Sequence, residues 1–237
     1  MHKILDVHLD RLRAWITDKR TDDEVRETFR GKKSKIFFRD LFICHRWLAD
    51  ECILVAKWPL YKECIKENCP FDWEEEYRLV DYVFRSKEDF QDPWASVDYV
   101  YSPFNVHANH WVLLCLDLVG CQVKVWDSLS SLTTAEEMRN ILLPIRELVP
   151  NLLDSTGFFA RRGRSSTYKE PWSVVIVDSI PLQQNNSDCG VFTIKYFEYI
   201  TAGVDLDTLC QENMSYFRKQ LAFQLVVLYH LCCKKCT

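Results

Sequence analysis

His110 and Asp127 have the residue types of a base and of the carboxylate that orients it. Two runs rich in β-branched and apolar residues flank Val119-Gly120, a pair that predicts a two-residue hairpin turn. That turn makes the histidine and the aspartate diagonal neighbours at the open end of the hairpin, roughly 7–8 Å apart at the backbone. A hydrogen bond between them is within reach. It would fix the imidazole tautomer and leave the second ring nitrogen as a base.

The register of this hairpin decides whether the two side chains meet. With Leu118 opposite Cys121, one face is apolar up to its open end, and on the other face Asp117 lies diagonally opposite Lys124. A shift by one residue would send the histidine and the aspartate to opposite faces. Taken alone, the histidine is an ordinary strand-end core residue and the aspartate an ordinary turn residue, so the inference depends on the pairing.

A nucleophile candidate, Cys189, stands at the start of a helix predicted over residues 191–202. The partial positive charge of a helix N-terminus favours a thiolate, and Gly190 leaves room for a substrate backbone. A developing oxyanion would be met by the Cys189 backbone N–H and by one amide side chain upstream. The amide candidates are Gln183, Gln184, Asn185 and Asn186. The alternative is a polar loop that caps a helix beside a small buried cysteine.

The rest of the pattern predicts the elements that carry these residues. Pro59 is expected to stop one helix, and Pro144 is expected to kink or stop the helix that begins at a capping box at Thr134. The predicted elements are helices within 1–30 and at 47–56, 134–148 and 214–232, a strand at 172–177, and loops at 30–35 and 154–171.

Composition narrows the class of protein. The 237 residues are 48% hydrophobic and carry a net charge of −4, which argues against nucleic-acid binding. The longest apolar run near the end is too short for a membrane span. Eleven irregularly spaced cysteines with no secretory signal predict a reduced, intracellular protein. The CxxC at Cys233 and Cys236 lacks a second pair, so no metal and no cofactor are expected. A monomer is the default expectation.

The combined motif resembles the ubiquitin-like-protein-specific cysteine proteases of the Ulp/SENP type. The order of functional residues in that family is histidine, aspartate, glutamine and cysteine. It is matched by His110-Trp111, by Asp127 seventeen residues later, and by Gln183 six residues before Cys189. The resemblance covers about residues 40–230.

The resemblance implies an α+β, papain-like cysteine protease fold of the Ulp/adenain type, with a central mixed sheet flanked by helices. It implies a single domain over 1–237, with an N-terminal extension at 1–35 and a core at about 40–232. Cys189 would attack the carbonyl after the C-terminal diglycine of a SUMO-like modifier. His110 would act as base and then as acid, oriented by Asp127, and Gln183 would donate to the oxyanion.

The same resemblance implies residues that bind the substrate. Trp47-Leu48-x-Asp50 resembles the early helix start of the family. Trp47 and Trp111 would enclose the diglycine tail in a narrow tunnel, and Asp50 would face a basic residue of the modifier. The implied partners are a SUMO-like modifier and its lysine-linked conjugates, with no nucleic acid and no membrane. The implied location is the nucleus or the cytoplasm, with the nucleus favoured.

Several alternatives stay open at the level of the sequence. The substrate is SUMO-like, or it is another ubiquitin-like modifier such as the neddylation tag, or ubiquitin itself. A rival of another class is a catalytically silent module that binds a ubiquitin-like protein. His107 is a weaker base candidate than His110, because it lies outside the hairpin ladder and off the register with Asp127.

Overall fold

The computed structural model describes residues 53–73, 75–84, 93–164 and 171–233, together with Ala14, Asp18 and the segments 25–28 and 31–34. Its strands are β1 (Val25–Thr28), β2 (Gly31–Ser34), β3 (Tyr99–Val106), β4 (His110–Asp117), β5 (Gln122–Trp126) and β6 (Ser173–Ile176). Its α-helices are α1 (Ile53–Lys66), α2 (Tyr77–Phe84), α3 (Ala135–Ile141), α4 (Leu143–Ser155), α5 (Phe158–Arg161), α6 (Cys189–Thr201) and α7 (Met214–Cys233). Among these residues, no helix combines the length and the apolar character needed to cross a membrane.

A four-stranded mixed sheet, ordered β3-β4-β5-β6, forms the centre of the fold. The pairs β3–β4 and β4–β5 are antiparallel, whereas β5 and β6 are parallel. All eight residues of β4 are buried, as expected of a central strand that is covered on both faces. The α+β class with a central mixed sheet, predicted from the sequence, is confirmed.

Each face of the sheet builds its own core. On one face Leu114 belongs to a buried cluster that includes Leu152 of α4. On the other face Leu113 belongs to a second cluster with Phe192 of α6 and Phe217 of α7. Because successive strand residues point to opposite faces, β4 contributes to both clusters. Burial of each such large apolar side chain is worth about 1.5–3 kcal/mol.

The predicted register of the β4–β5 hairpin is confirmed. Leu114 pairs with Val125, which is the pairing expected when Leu118 stands opposite Cys121. The diagonal contact on the other face is also present, because Lys124 Nζ lies 2.8 Å from Asp117 Oδ2. The carboxylate accepts this bond in a largely buried position.

The turn between β4 and β5 is longer than predicted. Four residues, 118–121, separate the two strands, not Val119-Gly120 alone. Asp117 explains the difference, because its Oδ1 accepts the backbone N–H groups of Val119 at 3.1 Å and Gly120 at 2.7 Å. Cys121 ends the turn with φ at 53°. Since both turns have the same centre, the pairing of the strands does not change.

The prediction that Pro59 stops a helix is wrong. Helix α1 runs from Ile53 to Lys66 with Pro59 inside it, while most of the predicted span 47–56 lies outside the described residues. A proline removes the hydrogen bond to the carbonyl four residues earlier, which here belongs to Val55. Val55 is exposed, so water can solvate that carbonyl. The packing of α1 against α4 keeps the two halves of the helix together.

Two predicted loops contain regular structure. Residues 154–171 were expected to be irregular, but α4 continues to Ser155 and α5 follows. Phe158 and Phe159 are buried in the core, and these two aromatic residues fold an otherwise polar segment onto it. Residues 31–34 form β2, antiparallel to β1, because backbone pairing does not require apolar side chains. Residues 165–170 lie outside the described residues, and so do the apolar residues of the helical stripe predicted within 1–30, which are Leu5, Leu9, Leu12 and Ile16.

Other helix boundaries agree with the sequence. The hydroxyl of Thr134 accepts the N–H of Glu137 at 3.2 Å, and the Glu137 carboxylate accepts the N–H of Thr134 at 2.8 Å. This is the predicted capping box. Helix α3 ends at Ile141, and Pro144 stands in the first turn of α4. The predicted elements at 172–177, 191–202 and 214–232 are present as β6, α6 and α7.

The turn that precedes β4 is strained. His107 and Ala108 both have left-handed backbone conformations, with φ at 53° and 57°. The N–H of Asn109 donates to the carbonyl of Val106 at 3.1 Å, and Val106 pairs with His110. Left-handed conformations cost a residue with a side chain roughly 1–2 kcal/mol each. The strain is therefore located next to the first residue of β4.

Replacing Ala108 by glycine tests this strain. Ala108→Gly removes the Cβ penalty of about 1–2 kcal/mol, of which the greater freedom of glycine in the unfolded chain offsets about 0.5–1 kcal/mol. We expect the free energy of unfolding to rise by up to about 1 kcal/mol in urea denaturation. The control is Ala160→Gly inside α5, which should lower it by about 1 kcal/mol. A loss of stability in Ala108→Gly would contradict the strain.

Candidate active site

The topology of the sheet brings distant residues to one edge. Because β5 and β6 are parallel, their carboxyl ends lie at the same edge. Because β4 is antiparallel to β5, the amino end of β4 lies there too. His110 begins β4, Asp127 directly follows β5, and the segment after β6 leads into α6, whose first residue is Cys189. The strand order alone therefore gathers residues that are up to 79 positions apart in the sequence.

The histidine and the aspartate meet as the register predicts. His110 Nε2 lies 2.7 Å from Asp127 Oδ1, and the two side chains are only 2% and 3% exposed. The same carboxylate oxygen accepts the backbone N–H of Leu129 at 2.8 Å, which holds it in place. With Nε2 bonded to the carboxylate, Nδ1 is the nitrogen that remains for proton transfer.

The environment of His110 favours its charged form. Burial of the ring disfavours the imidazolium. The hydrogen bonds to Asp127 and to the side chain of Cys189, with the negative charge of Asp127, outweigh that effect and raise the pKa of His110 to about 9. The imidazole is thus linked to a carboxylate on one side and to the cysteine on the other, which is the arrangement required for a thiol activated by a base.

Cys189 occupies the first position of α6 and is 1% exposed. The residue before it, Asp188, makes no side-chain capping bond to this helix end. The positive end of the helix dipole therefore acts at the position of the thiol. The Cys189 side chain therefore lies at a helix N-terminus and is bonded to the His110 ring.

Gln183 is held by Ser128 through two bonds. The backbone N–H of Gln183 donates to the carbonyl of Ser128 at 2.9 Å, and the Ser128 hydroxyl donates to Gln183 Oε1 at 2.6 Å. Gln183 Nε2 donates to the carbonyl of Asn185 at 2.5 Å. A side-chain amide has two N–H donors, so this bond uses one of them. The position of the amide nitrogen is thereby fixed from both sides.

Sequence reasoning missed Ser128. It directly follows Asp127, so its proximity to the site follows from the hairpin. Its partner, however, is 55 residues away, and no local pattern predicts that contact. The available signal is the parallel pairing of β5 with β6, which places the residues after both strands at one edge.

Sequence reasoning also missed the contacts around Asp188. The Asp188 side chain is 4% exposed, and its carboxylate accepts hydrogen bonds from Asn185, Gln211 and Arg218. Burial alone would raise its pKa, but these three bonds and the charge of Arg218 hold the pKa of Asp188 below its ordinary value. The residue next to Cys189 is therefore a buried anion with its counter-ion on α7.

The remaining candidates have different outcomes. Trp47 and Asp50 lie outside the described residues. Trp111 follows His110 on β4 and is 7% exposed. His107 lies in the strained turn and is exposed. Within the described part of the chain, no group of three or more histidine, cysteine or acidic residues is arranged to hold a metal ion.

The fold matches that of known protease domains. The yeast Ulp1 C-terminal protease domain, solved in complex with the SUMO orthologue Smt3, aligns with a TM-score of 0.62 over 95% of this chain and 96% of that one, at 16% identity. The Ulp1-like SUMO protease catalytic domain of Chaetomium thermophilum aligns with a TM-score of 0.57 over 95% of this chain and 90% of that one, at 20% identity. These likenesses define the fold as that of a Ulp1-type protease domain.

The sequence defines the family. Residues 54–227 match the model of the Ulp1 protease family, C-terminal catalytic domain, and the chain belongs to this family. It is 28% identical over 137 residues to ubiquitin-like-specific protease 1A of Arabidopsis thaliana, and 28% identical over 118 residues to a sentrin-specific protease of Caenorhabditis elegans. These matches span 55% and 49% of this chain but only 24% and 15% of the relatives.

The charge of His110 should depend on Asp127. We expect the His110 ring in the wild-type protein to titrate near pH 9, as measured by NMR of histidine-labelled protein. In Asp127→Asn the midpoint should fall, because burial of the ring remains while the negative charge of Asp127 is lost. His107→Gln is the matched control and should leave the His110 midpoint unchanged.

The titration of His110 also makes the free energy of unfolding depend on pH. Since the folded pKa is raised, His110 contributes stability that is complete below about pH 6.5 and is lost as the pH rises to about 9. In Asp127→Asn this contribution should be smaller, because the Asp127 charge that raises the pKa of His110 is lost. An equal midpoint for His110 in both proteins would contradict the role of the Asp127 charge.

Proposed function

We propose that this chain is a cysteine protease that cleaves after the C-terminal diglycine of a SUMO-like modifier. The reaction matures a precursor or releases the modifier from a lysine side chain. The observation that carries the proposal is the contact of one buried imidazole with both Asp127 and Cys189, at the N-terminus of α6. Membership of the Ulp1 protease family supports the same chemistry.

Each step of the proposed reaction uses a group at the sheet edge. The sulfur of Cys189 attacks the carbonyl carbon of the terminal glycine, and its proton passes to Nδ1 of His110. The intermediate collapses when His110 returns this proton to the leaving amine, which leaves a thioester. Water then attacks the thioester with His110 as base, and the released thiol regains the proton. Asp127 keeps the ring in the required tautomer throughout.

Gln183 supplies the oxyanion donor in this proposal. Its Oε1 accepts the Ser128 hydroxyl, so the amide nitrogen is directed away from Ser128. One N–H is bonded to Asn185, and the other donates to the oxyanion together with the backbone N–H of Cys189. A donor that is already fixed needs no reorganisation when the charge develops.

Recognition of the modifier is the finer part of the proposal. Trp111 with Trp47 would enclose the diglycine tail, and Asp50 would face a basic residue of the modifier. A reducing, intracellular site of action is supported by the described cysteines, which are free thiols: Cys64, Cys69, Cys115, Cys121, Cys189 and Cys210.

Electrophilic probes test nucleophile and substrate together. Probes built on SUMO, on the neddylation modifier and on ubiquitin, each with a C-terminal thiol-reactive group, are incubated with the protein and read by mass. We expect a covalent adduct with the SUMO probe that is absent in Cys189→Ser. The matched control is Cys69→Ser, which removes an exposed thiol and should leave the adduct unchanged.

The other outcomes of this experiment are equally informative. An adduct with a different probe would keep the mechanism and replace the modifier. No adduct from folded protein with any probe would reject the protease and favour a silent module that binds a ubiquitin-like protein.

Gln183→Ala tests the oxyanion donor. Removal of one such donor lowers kcat by about 10²–10³-fold in other acyl-transfer enzymes. We expect a loss of that order on a fluorogenic C-terminal amide of SUMO, with KM changed by less than about threefold, because the bond forms in the transition state. Gln184→Ala is the control: its side chain is exposed, and kcat should stay within about threefold. Equal effects of the two substitutions would remove Gln183 from the mechanism.

A further inference from the structure

Asp188 connects three separate parts of the chain. Its Oδ1 accepts Arg218 Nε at 2.7 Å. Its Oδ2 accepts Gln211 Nε2 at 2.7 Å and Asn185 Nδ2 at 2.6 Å. The donors belong to α7, to the short helical turn before it and to the loop that precedes α6. A buried carboxylate with three donors is a rigid junction, because loss of any donor leaves a desolvated charge less compensated.

Arg218 bonds to two consecutive residues before the nucleophile. Besides the bond from its Nε to Asp188, its Nη2 donates to the carbonyl of Ser187 at 2.5 Å. Its side chain is 3% exposed. Only a planar guanidinium offers donors in this fixed fork, whereas a lysine presents a single nitrogen. The backbone just before Cys189 is therefore fixed at two points by one residue of α7.

Asn185 extends this fixation to Gln183. Its Oδ1 accepts the backbone N–H groups of Ser187 at 2.9 Å and of Asp188 at 3.0 Å. Its own carbonyl accepts Gln183 Nε2. A continuous series of hydrogen bonds thus runs from Arg218 through Asp188 and Asn185 to the amide of Gln183. The backbone of Gln184 is bonded to the same junction, because its N–H donates to Gln211 Oε1 at 2.8 Å.

We propose that Arg218 is a positioning residue that holds the Gln183 amide in place through Asp188 and Asn185. This inference deepens the proposed function, on which its catalytic meaning rests. The loop 183–188 has no regular secondary structure, so its shape depends on side-chain bonds. An oxyanion donor displaced by about 1 Å loses much of its effect, and an arginine 35 positions after Gln183 therefore controls the reaction.

The first test replaces the guanidinium of Arg218 by the ammonium group of lysine, which keeps the positive charge but removes the paired N–H donors. With the aminomethylcoumarin amide of SUMO as substrate, we expect Arg218→Lys to lower kcat by about 30–100-fold and to change KM by less than about threefold. The matched control is Arg146→Lys. Arg146 donates from Nε to the carbonyl of Trp172 at 2.5 Å, away from the loop, and kcat should stay within about threefold.

A double-mutant cycle separates positioning from general loosening. If Arg218 acts through Gln183, the cost of Arg218→Lys should fall to less than about threefold when Gln183 is already alanine. The same fold-loss in both backgrounds would overturn the proposal, as would an unchanged kcat in Arg218→Lys alone. Gln211→Ala, which removes one donor to Asp188 without touching the buried guanidinium, should give a smaller loss that also disappears in the Gln183→Ala background.

Hydrogen exchange measures how firmly the loop 183–188 is held, and it needs no substrate. In Arg218→Lys the amides of Ser187 and Asp188 should exchange at least about tenfold faster than in wild type, while Arg146→Lys leaves them unchanged. If wild type makes no adduct and cleaves no amide, the proposed function fails, and this measurement alone decides the positioning. Unchanged exchange in Arg218→Lys would then overturn it. Thermal unfolding confirms beforehand that each variant is folded, and Gln211→Ala replaces Arg218→Lys in both tests if the lysine variant is not.

Discussion

The site depends on where β5 ends. Asp127 and Ser128 are consecutive, and they hold two different groups: the aspartate bonds to His110 and the serine to Gln183. Two consecutive residues can bond to two different partners because β5 has a neighbouring strand on each side. His110 begins the antiparallel neighbour β4, and Gln183 lies in the loop that follows the parallel neighbour β6. A shift of β5 by one residue would exchange the directions of the two side chains and would separate both pairs at once. The register is therefore a condition for the His110–Asp127 contact and for the Ser128–Gln183 contact together.

The register of β4 against β5 is determined by side-chain burial and charge pairing as well as by the turn. The turn has four residues where two were expected, yet the pairing of β4 with β5 is the predicted one. The apolar residues on both faces of β4 are buried, and a slip would bring Lys124 to the face that holds Val123. The Lys124–Asp117 ion pair, at 2.8 Å, forms in one register only. Burial and charge pairing thus determine the register, and the turn adapts to it through Asp117.

The sequence predicts some features of the fold and misses others, and the difference lies in how far apart in the chain the interacting residues are. Features set by neighbours in the chain were predictable: the alternation of β4 and the capping box at Thr134. Features decided by distant contacts were not. Helix α1 continues through Pro59 because α4 packs against it. The hydrogen bonds at Asp188 depend on Arg218, 30 residues later in the chain. Cys189 could be proposed as a nucleophile because its residue type and its position at a helix start are local features, whereas the residues that hold its loop were missed because their contacts exist only in the folded chain.

Different kinds of interaction hold the two sides of the site. His110 sits on a strand, where backbone pairing and two apolar cores fix it, so its position resists single changes at the surface. Gln183 and Cys189 lie on or after a loop that is fixed by a buried ion pair and its hydrogen bonds. Such a pair contributes little net stability, because desolvation offsets the attraction, but removal of one partner is strongly destabilising. The arrangement therefore favours one loop geometry over its alternatives more than it favours folding itself. A reaction that needs a fixed oxyanion donor requires that kind of selectivity, which apolar packing alone does not give to a polar loop.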